Sequence, residues 1–79
     1  MAGLIKRSVS LAGHATSLAL EPEFWAVLDR AAREQALSLA RLIGGIDDAR
    51  GERPLASACR VFALGYVVAV PTVAEENRP

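Results

Sequence analysis

The stretch TSLALEPEFW, Thr16–Trp25, decides how this chain is read. Leu18 and Leu20 alternate with Ser17 and Ala19, the period of a half-buried strand. The alternation stops at Glu21-Pro22, and Phe24-Trp25 begins a pattern of helical spacing. Pro22 suits the first helical position, where its missing N–H is not needed. Glu21 and Glu23 put negative charge at the positive end of the helix dipole. A strand over about 16–20 therefore runs, without a loop, into a helix over about 22–35. Leu18 and Leu20 point to one side; Ala15, Ser17 and Ala19 point to the other. Exposed strands usually carry long charged side chains that discourage edge pairing. A face of such small residues fits close approach to another surface better than it fits free solvent.

Working outward, the N-terminal side is less regular. Ser8 to Leu11 alternates weakly, with Val9 and Leu11 on one side, and reads as an extension of the ribbon or as a short extra strand. Ala12-Gly13 is a bend. No second strand matches the quality of 16–20, and a lone strand cannot satisfy its edges in water. Its expected partner is the same strand of a second subunit, paired antiparallel about a two-fold axis.

On the C-terminal side, Phe24, Trp25, Val27, Leu28, Ala31 and Ala32 form the apolar stripe of the first helix. Ser38 is an N-cap for a second helix over about 38–49, whose core positions are Leu39, Leu42, Ile43 and Ile46. Gly44-Gly45 lies inside it, each glycine costing about 1 kcal/mol relative to alanine. The charged segment DDARGER, 47–53, links it to a third helix over about 54–70, opened by Pro54. Leu55, Ala58, Cys59, Phe62, Ala63, Tyr66 and Val67 make one broad face of that helix. Val61, Leu64 and Val68 lie off it, so the helix is apolar nearly all round and is expected to be buried on more than one side. One domain over 1–70 and a flexible polar tail over 71–79 complete the organisation.

Composition narrows the options. The chain has 79 residues, 52% of them apolar, which is high for so small a domain. One cysteine rules out an internal disulfide, and His14 and Cys59 alone do not make a metal cluster. Oligomerisation is the remaining staple. Net charge is formally zero, but residues 1–20 carry Lys6, Arg7 and His14 and no acid. The mildly apolar run after Lys6-Arg7 is too polar for a signal peptide. Val61–Val70 is about half a bilayer span. A soluble, cytoplasmic protein with no membrane partner is expected.

No catalytic set can be assembled. Cys59 is the one obvious nucleophile for His14, and it lies on an apolar helix face where a buried, inert thiol is expected. Asp47-Asp48 and Glu75-Glu76 are adjacent acids that do not share a helix face. Gly44-Gly45 lacks the rest of a phosphate loop. The reading is no enzyme, no metal and no cofactor. Trp25 and Tyr66 occupy core-type positions and are read as packing residues.

The motifs KRSVSLAGHATSLALEPEFW at 6–25, LSLARLI at 37–43, ID at 46–47 and LASACRVFAL at 55–64 resemble a group of short bacterial ribbon-helix-helix proteins. The likeness covers about residues 6–67 and is carried by AGH-x-TS followed by LE-x-x-FW. It implies a mostly helical, dimeric fold with a short N-terminal strand and an additional C-terminal helix. It also implies binding of double-stranded DNA, with an antiparallel ribbon from two subunits in the major groove, and a role in transcription regulation. By position, Ala15, Ser17 and Ala19 would face bases, and Lys6 and Arg7 would meet phosphates. The N-terminus of the second helix, at Ser38 and Leu39, would clamp another phosphate. The shared dimer core would comprise Leu18, Leu20, Trp25, Leu28, Leu42, Ile43, Ile46 and Phe62. Two departures stand out. Ala36 replaces the usual glycine between the first two helices, at about 1–2 kcal/mol if the backbone there is left-handed. Ala15 replaces a frequent arginine. With zero net charge, that substitution supports an alternative: a dimeric protein-interaction module, adaptor or antitoxin-like, that kept the fold and binds a protein partner.

Overall fold

The computed structural model describes residues 3–69, arranged as a β-hairpin followed by three helices. β1 is Ile5–Leu11 and β2 is His14–Leu20. α1 is Pro22–Glu34, α2 is Leu39–Ala49 and α3 is Leu55–Ala69. The helices lie within a residue or so of their expected bounds. The expected tail over 71–79 falls outside the described residues.

The strand needs correction. β2 begins at His14 rather than Thr16, and it is not a lone strand within its chain, since one of its edges pairs with β1. The two strands pair antiparallel over seven positions, from Ile5 opposite Leu20 to Leu11 opposite His14. Ala12 and Gly13 connect them, both with positive φ (52° and 82°). Two such residues make the tight turn whose twist matches the strands it joins. Glycine takes this conformation freely; Ala12 does so at a cost. The weak alternation of Ser8–Leu11 thus becomes a full strand once β2 lies beside it.

The hairpin's inner face is set by Val9 and Leu11 from β1 and Leu18 and Leu20 from β2, all buried. They pack on Trp25, Leu28, Ala31 and Ala32 of α1, on Leu42, Ile43 and Ile46 of α2, and on Ala58 and Cys59 of α3. Leu20, Leu28, Ile43 and Cys59 are wholly buried within the single chain. The residues expected to need a partner subunit are therefore covered by their own chain, except Phe62, which is half-buried.

α1 starts from Glu21 with Pro22 in its first turn, as the sequence implies. It ends at a left-handed Ala36 (φ 57°), with Leu37 N–H bonded back to Ala32 C=O and Ala36 N–H to Arg33 C=O. That is the glycine-type helix stop, executed here by alanine. Ser38 caps α2 by accepting the Arg41 N–H at 3.1 Å.

The buried residues of α3 are the small Ala58, Cys59 and Ala63, with Leu55, Phe62 and Tyr66 packed at the margin. Within the single chain Val61, Leu64 and Val68 are exposed, and one side of the helix is covered. One small chain supplies a single layer for α3 to cover, so its other flank faces outward. Two polar links hold α3 to the rest. Arg60 donates to Glu21 at 2.9 Å beside Phe24, and Tyr66 donates to Glu34. The Arg60 hydrogen bond lowers the Glu21 pKa, and the Tyr66 hydrogen bond lowers that of Glu34. Each link contributes stability that is complete above the ordinary carboxylate value of 4.5 and is lost as pH falls through the lowered folded value.

Candidate nucleic-acid interface

Side chains alternate across the two strands, so one register defines two faces. The outer face carries Lys6 opposite Ala19, Ser8 opposite Ser17, and Ser10 opposite Ala15. Lys6, Ser8, Ser10, Ala15 and Ser17 are exposed and Ala19 is half-buried. The structure thus brings together the three outer residues of the sequence reading, Ala15, Ser17 and Ala19. It adds Ser8 and Ser10, which that reading missed. Their signal was the spacing Ser8-x-Ser10 opposite Val9 and Leu11, and it is decisive only once β1 is known to be a strand. The face is a flat strip of three hydroxyls and three short or flexible side chains. Its single formal charge is Lys6, at the end remote from the turn.

Lys6 and Arg7 part company. Neighbours on a strand point to opposite sides, and Arg7 lies on the inner side at the hairpin's open end. Its guanidinium donates two hydrogen bonds to Asp29, at 3.0 and 3.1 Å, and sits 4.5 Å from the centre of the Trp25 ring. Trp25 Nε1–H in turn donates to Ile5 C=O at 2.7 Å. A bidentate ion pair stacked on an aromatic face is a strong arrangement for a partly exposed site. Its geometric effect is to fasten the start of β1 to α1. Arg7 is committed to that latch, whereas Lys6 is free of any ion pair among the described residues.

The N-terminus of α2 presents Ser38, exposed, and Leu39, half-buried. The first-turn N–H groups of a helix have no acceptor within it, and the Ser38 hydroxyl occupies only the one belonging to Arg41. Arg41 itself is exposed beside them. His14 opens β2 next to the turn and is exposed. Cys59 is buried, and desolvation pushes its thiol up to about 11. That value is the opposite of what a nucleophile needs. Among the described residues no cluster of metal-ligating side chains occurs, and no helix is long and apolar enough to cross a membrane.

Comparison with known proteins agrees with this architecture. The profile of the ribbon-helix-helix domain family matches residues 4–67. Among solved structures, the chain is similar to an uncharacterized protein from Bordetella pertussis Tohama I, with 34% sequence identity and a TM-score of 0.76. The match covers 91% of this chain and 66% of that protein, just under two thirds of its length. Comparison with curated proteins finds no match.

Proposed function

The chain belongs to the ribbon-helix-helix family, and from that premise we propose that it is a homodimeric DNA-binding protein that regulates transcription. Each protomer lays the outer face of its own hairpin in the major groove. The observation that carries this reading is the outer face itself. It is exposed, almost free of charge, and built of side chains short enough for the backbone to approach a base-pair floor. A two-stranded ribbon fits a groove about 12 Å wide. Ser8, Ser10 and Ser17 supply hydroxyls that donate to or accept from base edges, and Ala15 and Ala19 touch thymine methyls. Serine is a tolerant reader, so sequence preference is modest and most affinity comes from phosphates.

Lys6, at the edge of this face, is the proposed phosphate contact, and the α2 N-terminus at Ser38 and Leu39 is the second. Arg7 takes no part, because Asp29 and Trp25 hold it on the other side. A dimer then has about two lysine–phosphate contacts from the ribbons. The test is titration of the protein against duplex DNA at several salt concentrations. Lys6→Ala lowers affinity for all sequences together and flattens the salt slope by about 2 per dimer. Ser8→Ala and Ser17→Ala leave the slope unchanged and relax sequence preference by about 1 kcal/mol or less each. Absence of duplex binding at about 50 mM salt, where electrostatic binding is strong, ends the DNA reading. The protein-interaction alternative then takes its place. Its support is the formal net charge of zero and the exposed apolar flank of α3.

A further inference from the structure

We propose that Asp29 is an internal competitor of phosphate: it occupies the Arg7 guanidinium and so withholds one of the ribbon's two cations from DNA. This deepens the DNA-binding function proposed above and rests on it.

The two strands carry no acid, and their fixed charges are Lys6 and Arg7. The two cations are neighbours at the ribbon's open end, opposite Ala19 and Leu18. Among the described residues the one ion pair that reaches the ribbon comes from Asp29 of α1. Its two oxygens accept from Arg7 Nη1 at 3.0 Å and Nη2 at 3.1 Å. That fork-to-fork geometry is also the one by which arginine grips a phosphate. The carboxylate therefore fills the donors that two phosphate oxygens would need.

The pair is more than the hairpin needs as a fastening. Seven paired positions hold β1 to β2, and Trp25 Nε1–H donates to Ile5 C=O at 2.7 Å. Both remain when Asp29 is replaced, so β1 keeps its place. The stacking of Arg7 on the Trp25 ring, 4.5 Å from its centre, uses the face of the guanidinium and leaves its N–H groups free. The Arg7 and Asp29 side chains are 39% and 34% exposed. Arg7 is thus kept from phosphate by its partner and not by burial. Within the chain β1 pairs on one edge only, which leaves the other open for a released Arg7 to turn toward the phosphates that flank the groove. Phosphate contacts raise affinity for all sequences alike. Asp29 accordingly lowers the sequence-independent share of the affinity and leaves preference to the serines of the outer face.

Titration against duplex DNA at several salt concentrations compares the native chain with Asp29→Ala, Asp29→Glu and the double change Arg7→Ala/Asp29→Ala. Alanine suits a helix interior, and circular dichroism checks that each variant is folded. Asp29→Ala steepens the salt slope by about 2 per dimer, so its affinity gain over the native chain is roughly 10-fold larger at about 50 mM than at about 200 mM salt. Asp29→Glu keeps the native slope, because a carboxylate stays within reach of Arg7. The double change returns to the native slope; one as steep as Asp29→Ala shows that the gain does not come from Arg7 and overturns the proposal. Retention on heparin, a polyanion without a groove, separates this proposal from the DNA reading. Asp29→Ala is expected to elute at higher salt than the native chain. If no duplex is bound but heparin retention rises, the DNA reading falls and the competitor stands. Duplex binding by the native chain, with no gain for Asp29→Ala in either assay, overturns the competitor and leaves the DNA reading.

Discussion

Ser17 and Leu18 are neighbours in the chain and lie on opposite faces of one two-stranded ribbon. Leu18 is 4% exposed against α1, α2 and α3; Ser17 stands in the open, facing Ser8. The inner face obeys packing. It holds Val9, Leu11, Leu18 and Leu20, and it fixes the register, because a slip by one residue would turn all four outward. The outer face obeys none of those constraints. It nevertheless carries one long charged side chain, Lys6, where exposed strands usually carry several for protection. The difference teaches that the two faces answer to different partners. One is completed by the chain's own helices, and the other stays open to solvent within the single chain.

The sharpest way to break this comparison is to place the same charge on both faces. Leu18→Asp costs about 4 kcal/mol or more, since a carboxylate without a partner is forced into the core, and that is most of the stability of so small a domain. Ser17→Asp leaves the fold intact and, under the proposed function, abolishes DNA binding by repulsion from phosphates. Circular dichroism with a denaturant titration separates the two. Equal destabilisation by both would mean that the outer face is not free.

A second test concerns Lys6 and Arg7. Arg7→Ala removes the bidentate pair with Asp29 and the contact with Trp25. It is expected to lower stability by about 1–2 kcal/mol without flattening the salt dependence of DNA binding. Lys6→Ala has the converse signature. If Arg7→Ala instead flattens the slope with no loss of stability, the assignment of the two faces is reversed at this end of the ribbon.

The smallest effect sharpens the comparison by tightening the scaffold alone. Ala12 in the hairpin turn and Ala36 after α1 both hold a left-handed backbone. Ala12→Gly and Ala36→Gly are each expected to raise stability by about 0.5–1 kcal/mol, the relief of the strained conformation less glycine's greater unfolded entropy. The two turns are separate, so the gains add. Thermal unfolding measures both, and DNA binding should not change with either.

By itself the sequence determined the elements whose causes are local. The switch of period at Glu21-Pro22, the cap at Ser38 and the faces of α1 and α2 follow from residues within one or two turns of one another. Accordingly α1 and α2 were legible to within a residue. The family likeness placed Ala15, Ser17 and Ala19 outward, and the alternation of β2 says the same. Only the tertiary structure decided what pairs with what. β1 is weak as an isolated pattern, with Val9 and Leu11 its clear apolar signal, and it becomes a strand because β2 supplies its hydrogen bonds and the helices bury one side. Arg7 reads as a second free cation beside Lys6 until Asp29 and Trp25, more than ten residues away, claim it. The apolar content of α3 reads as burial on more than one side, and the single chain covers one of them. Periodicity is a property of neighbours along the chain and assigns faces. Partners are chosen by contacts between distant segments, and those come into being only when the chain closes on itself.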